Sequence, residues 1–111
     1  MNVKIINLTP HPLRIFSGGK IIDLLPSGEV ARCKEITHNI GVVSYDGAEI
    51  PIVRKKFSEV SNLPEKEEGT IYVTSSIVAQ AAMREDVVSP GDSIRDENGY
   101  IIGCKSLCSY I

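Results

Sequence analysis

The side chains best suited to chemistry lie in two short runs and on three arginines. In Tyr72-Val73-Thr74-Ser75-Ser76, three hydroxyls end a β-branched, aromatic stretch and precede an apolar helical pattern. A helix N-terminus there would offer free backbone N–H groups and the positive end of the peptide dipoles, which suit phosphate or carboxylate. Thr74, Ser75 and Ser76 would add hydroxyl donors. The plainer alternative is that Ser75 or Ser76 only caps the helix, a usual task for serine. Arg32, Arg84 and Arg95 carry planar forks able to grip phosphate bidentately. Arg95 is expected to share a strand face with Ile102, which would lay its guanidinium over partly apolar surface. Each arginine is otherwise a surface residue or an ion-pair partner, Arg84 with Asp86 and Arg95 with Asp96.

The second run is Asn7-Leu8-Thr9-Pro10-His11-Pro12. Asn7 and Thr9 can bond their own backbone and fix a turn, leaving His11 between two rigid prolines. Such a loop either presents Asn7, Thr9 and His11 to the polar edge of a ligand or simply ends a strand. Tyr72 or Tyr100 could stack on a base.

Catalysis has little to work with. A Ser or Cys nucleophile needs a base and an orienting group, and the only histidines are His11 and His38. There is no Gly-x-Ser-x-Gly elbow, no Walker-type glycine loop and no Gly-x-Gly-x-x-Gly. Cys104 and Cys108 lack the paired partners of a zinc site and read as small apolar groups. Asp86, Asp92 and Asp96 do not follow the spacing of a calcium loop. No catalytic residue, metal or cofactor is therefore expected.

These groups must be placed by a small β-rich scaffold. The 111 residues, 42% apolar and 23% charged, suit a single domain spanning 1–111. The net charge is −2, and Arg54-Lys55-Lys56 is offset by Glu65-Lys66-Glu67-Glu68, so a nucleic-acid partner is not expected. Three cysteines are an odd count for a disulfide framework. With no signal-peptide pattern and no apolar run near the ~20 residues of a membrane span, cytoplasmic residence is the expectation.

Turn signals divide the chain. Asp46-Gly47 predicts a two-residue type I′ hairpin, setting Tyr45 opposite Ala48 and Val43 opposite Ile50. Asn98-Gly99 gives the same signal between Ser93–Glu97 and Tyr100–Cys104, and Ser17-Gly18-Gly19 turns Leu13–Phe16 into Lys20–Leu24. Pro51 pushes its strand toward an edge. An opening strand spans Val3 to Leu8, and another spans Thr70 to Thr74. One helix is predicted over 75–84, with Ile77, Val78, Ala81 and Ala82 as its apolar stripe. The fold class is then α+β, mainly β: an antiparallel or small barrel-like sheet with one packed helix.

Five segments carry a resemblance. They are Asn7-Leu8-Thr9-Pro10-His11, Pro26-Ser27-Gly28 with Ala31-Arg32, Tyr72-Val73-Thr74-Ser75, Arg84-Glu85-Asp86, and Arg95-Asp96-Glu97-Asn98-Gly99 with Ile102-Gly103-Cys104. Together they resemble an uncharacterised family of small proteins of bacteriophages, prophages and bacteria that begin with an Asn-Leu-Thr-Pro-His run. The resemblance implies a phage setting, where proteins of this size include sponges that sequester cyclic-nucleotide immune signals. With the anion-site chemistry above, the expected function is sequestration of a phosphorylated nucleotide-type molecule without cleavage. The ligand would be held by Asn7, Thr9, His11, Arg32, Tyr72, Thr74, Ser75, Ser76, Arg84 and Arg95. A homo-oligomer is expected, with Leu107–Ile111 pairing across its interface. The alternatives are a protein-interaction module using an exposed strand edge, and a small nucleotide hydrolase using His11 with Asp86 or Asp96.

Overall fold

A computed structural model describes residues 3–111. In chain order the elements are β1 (Lys4–Asn7), β2 (Leu13–Ser17), β3 (Lys20–Leu24), β4 (Arg32–Tyr45), β5 (Ala48–Ser61), β6 (Thr70–Val73), α1 (Ser76–Ala82), β7 (Val87–Arg95) and β8 (Ile101–Cys108). Six strands form one sheet in the order β1-β6-β7-β8-β2-β3, while β4 and β5 form a separate two-stranded ribbon. The class is α+β, mainly β, and the sheet takes the barrel-like form. It is mixed: β1–β6, β6–β7 and β2–β8 run parallel, whereas β2–β3 and β7–β8 run antiparallel. The parallel β6–β7 pair follows from the α1 crossover, since parallel neighbours cannot be joined by a tight turn.

Strand β6 sits between β1 and β7, and Thr70, Tyr72 and Val73 are all buried. Cover on both sides explains its unbroken β-branched and aromatic run. The seam between the two end strands is nearly closed: Ser27 N–H donates to Asn7 O at 2.9 Å, and Asn7 bridges to Pro26. Strands β2 and β8 approach closely at Gly103. A Cβ there would stand 2.6 Å from Phe16 Cε2 and 2.7 Å from the Arg14 carbonyl oxygen.

Ser75 is the N-cap of α1, its Oγ accepting from Val78 N–H at 3.3 Å. The helix ends at Ala82 rather than 84, because Met83 turns left-handed (φ 53°) and its N–H closes on Ala79 O. Val78 and Ala79 are the buried helical side chains, whereas Ile77 of the predicted stripe is 41% exposed. The core joins them to Leu8, Ala31, Tyr72 and Val87, with Cys33, Val60 and Leu63 packed alongside. Cys33 and Val60 root the ribbon in this core.

The predicted register of the ribbon is found: Tyr45 pairs with Ala48, and Val43 with Ile50. Asp46 (φ 50°) and Gly47 (φ 76°) both adopt the left-handed conformation that a type I′ turn needs. The hairpin runs much further than Gly41–Val53, to Arg32 and Ser61, with β-bulges near Cys33 and Ile40. The Asn98-Gly99 hairpin is wider than a two-residue turn. Asp96 Oδ1 accepts from Asn98 N–H (2.9 Å) and Tyr100 N–H (3.0 Å), and only Gly99 is left-handed there (φ 85°). That combination is a three-residue loop with a glycine bulge. Arg95 consequently lies opposite Ile101, not Ile102.

The chain measures 56 × 39 × 25 Å, with a radius of gyration of 17.4 Å. A compact domain of this length has about 13 Å, so the ribbon stands out as an arm. Among the described residues, no helix is long and apolar enough to cross a membrane.

Candidate functional site

The Asn7–Pro12 loop is built around one buried side chain. Asn7 is 2% exposed. Its Nδ2 donates to the carbonyl oxygens of His11 (2.8 Å) and Leu24 (3.0 Å). Its Oδ1 accepts from Thr9 N–H (3.0 Å) and from the Thr9 hydroxyl (2.6 Å). The expected local turn is therefore formed. Asn7 itself spends both amide protons inside the fold, which corrects its assignment to a ligand edge.

This loop forms one wall of a cleft of about 630 Å³, opposite the β6–α1 junction and the β7–β8 strands. Pro10, Pro12, Leu13, Ile101 and Ile102 give it apolar walls, and Thr9, His11, Thr74, Ser75 and Ser93 line it with polar side chains. Four predicted residues thus converge: Thr9, His11, Thr74 and Ser75. All three of their hydroxyls are committed locally, since Thr9 Oγ1 donates to Asn7 Oδ1 at 2.6 Å, Thr74 Oγ1 donates to Ser75 O at 2.9 Å and Ser75 caps the helix. Ser76, the first helical residue, is exposed and outside the cleft. Arg32 lines a smaller neighbouring cleft of about 280 Å³, which shares Thr9 and Ser75 with the first.

The other predicted groups stand apart. Tyr72 is a core residue, 2% exposed, with its hydroxyl donating to Glu65 O at 3.2 Å, so its ring has no free face for a base. Tyr100 is exposed beside the last hairpin and lines neither cleft. Arg84 makes a bidentate pair with Asp86, at 2.9 and 2.6 Å, and donates to Pro64 O at 3.0 Å. Those hydrogen bonds hold the Asp86 carboxyl below the usual carboxylate range and raise the Arg84 guanidinium. Arg95 donates to Gly99 O at 2.8 Å and so closes its own hairpin. Three arginines on one phosphate is not the arrangement found.

Asp86 and Asp96, the supports suggested for His11 in a hydrolase, do not line its cleft. Asp92 accepts from Ser106 Oγ at 2.7 Å. Among the described residues, no three His, Cys, Asp or Glu side chains gather as metal ligands would.

Sequence reasoning missed Arg14, which lies on the cleft rim with its fork already filled by Asp23, at 2.8 and 3.2 Å. The signal was present, because the Gly18-Gly19 turn sets Arg14 directly opposite Asp23.

No protein-family model, curated protein or solved structure matches this chain.

The least expected surface is the outer half of the ribbon. Ile40, Val42, Val43, Tyr45, Ile50, Ile52 and Val53 are each 40–75% exposed. Directly opposed residues share a face and successive residues alternate. Val43, Tyr45, Ala48, Ile50 and Ile52 therefore line one face with Gly41, while Val42, Pro51 and Val53 line the other. The C-terminal run expected at an interface is used internally. Leu107 and Cys108 pair with Pro90 and Ser89, and Tyr110 packs on the core with its hydroxyl 3.0 Å from Ser89 Oγ.

Proposed function

We propose that this chain is a protein-interaction module that self-assembles through its β4–β5 arm. The observation that carries this is an outer ribbon apolar on both faces. Strands covered on one side alternate apolar with polar, whereas near-continuous apolar runs belong to strands buried on both sides. A two-stranded hairpin alone in water is marginally stable, and large exposed apolar patches mark interaction sites. The exposed parts of the seven apolar side chains, both faces together, amount to on the order of 700 Å², and the four on the Val43–Ile50 face to a little over half of that, against the ~800 Å² each partner gives a standard complex.

Sedimentation of the purified chain at micromolar concentration is expected to show a dimer or larger oligomer. A variant in which Asn-Gly replaces 39–53 rejoins His38 to Arg54, which face each other across the ribbon. It keeps the rooted core and should fold and sediment as a monomer. A monomeric wild-type chain across that range would refute self-assembly.

A second function is favoured by the cleft alone: sequestration of a phosphorylated nucleotide-type molecule. His11 would donate to the ligand, Ser93 would add a hydroxyl contact, and the proline and isoleucine walls would cover an apolar ring. Saturating ligand should stabilise the fold by about 2.7 kcal/mol at one hundred times its Kd. The expected result is a rise in melting temperature with one member of a cyclic-nucleotide panel, lost in His11→Ala, with the ligand recovered intact. No shift with any member of the panel removes this function.

A further inference from the structure

We infer that two copies pack arm on arm, face to face and antiparallel, about a two-fold axis at the Val43–Ile50 pair. This rests on self-assembly through the ribbon and specifies which surfaces meet. Three features of one ribbon face point to it.

The first is shape. Outward from the core, successive cross-strand pairs on this face are Gly41 with Ile52, Val43 with Ile50, and Tyr45 with Ala48. A two-fold axis through the middle pair sets each Val43 on its counterpart and each Ile50 on its counterpart. Tyr45 then falls on Gly41 of the second copy, and Ala48 falls on Ile52. The largest side chain, 75% exposed, meets the position with no side chain, where even an added Cβ would touch nothing. The smallest remaining side chain meets a large one. Complementary large and small positions are what close packing requires.

The second is charge. Beyond Gly41 and Ile52 the same face becomes basic, with His38 and Arg54 paired across the ribbon and Lys56 next along β5. Among the described residues, Arg54 and Lys56 have no carboxylate within ion-pair distance, whereas Lys34 and Lys55 are paired with Glu59 and Glu35. The tip carries Asp46. At about 3.3 Å per residue, Asp46 lies about 10 Å outward from the axis and the His38–Arg54 pair about 13 Å inward. The antiparallel overlap therefore brings each acidic tip to the other copy's basic pair. Opposed charges of this kind fix register.

The third is what the alternatives would cost. Sliding the arms further together by two pairs would set Ile50 on Arg54 and Ala48 on Lys56, leaving cations against apolar surface. Parallel arms would set Asp46 against Asp46. The antiparallel three-layer overlap avoids both.

Cysteine cross-linking tests the register. With a short bismaleimide, whose reach suits the ~10 Å between packed sheets, Val43→Cys should give a covalent dimer, while Ser44→Cys, on the opposite face, and the wild type with its three native cysteines should not. In sedimentation, Asp46→Asn, which keeps a turn-forming residue, and Arg54→Asp should each weaken the dimer by about tenfold or more. A wild-type oligomer in which Val43→Cys fails to cross-link, or which Arg54→Asp leaves unchanged, would overturn the register while sparing self-assembly. A monomeric wild type would instead remove self-assembly, and the register with it.

Discussion

Asn7→Ala should destabilise the fold by about 3 kcal/mol and lower the melting temperature by roughly 12 °C. The side chain joins three segments. It anchors the His11 carbonyl, the Leu24 carbonyl and the Thr9 amide and hydroxyl, and its backbone carbonyl receives Ser27 N–H across the seam. Each bond contributes about 1 kcal/mol net, and a buried group left without its partner costs more. Alanine removes every side-chain bond at once, beside the place where β1 meets the end of β3. Thr9→Ala is the milder comparison, because the Thr9 amide still reaches Asn7. Asn7→Asp should be no better than alanine, since it would set carboxylate oxygens against two carbonyl oxygens. Urea unfolding of the three variants checks the order. An Asn7→Ala protein as stable as Thr9→Ala would mean that solvent replaces these bonds freely.

Local chemistry was legible in the sequence, and long-range pairing was not. Gly18-Gly19, Asp46-Gly47 and the Ser75 cap depend on a few neighbouring residues, and all are found where expected. The Asn98-Gly99 turn is wider because Asp96, two positions earlier, offers a carboxylate that captures two backbone N–H groups. The parallel β1–β6 and β2–β8 pairs join segments far apart in the chain, and nothing in either segment names its partner. The ribbon's full length was hidden for a different reason. A strand exposed on both faces has no need to alternate, so Arg54-Lys55-Lys56 read only as a short cationic run offset by Glu65–Glu68 and not as the middle of β5.

The candidate site divides the same way. Thr9, His11, Thr74 and Ser75 come together because β1 and β6 are neighbours and both end at the cleft. The arginines do not join them. A guanidinium is available to a ligand only if no nearer acceptor takes it, and Arg84 has a carboxylate two residues on. For Arg95 the competing acceptor is a carbonyl in its own hairpin.

Asp86→Asn should cost about 2 kcal/mol at neutral pH, and the cost should shrink in acid. Asp86 is 6% exposed and Arg84 29%, so solvent weakens this pair far less than Arg14–Asp23, where both side chains are about half exposed. Arg84 also donates to Pro64 O, so the pair ties the segment after α1 to the chain before β6. The hydrogen bonds from Arg84 lower the folded pKa of Asp86 below its unfolded value. Its contribution is then fully present above the unfolded value, about pH 4, and is lost as the pH falls through the lower folded value. Below that point the wild-type carboxyl is neutral, as asparagine is at every pH. Urea unfolding at pH 7 and in steps down toward pH 2 should show the two proteins converging. A gap independent of pH would mean that Asp86 acts through shape and hydrogen bonding alone. A gap that widened in acid would reverse the sign of the linkage and rule out Arg84 as the partner that lowers its pKa.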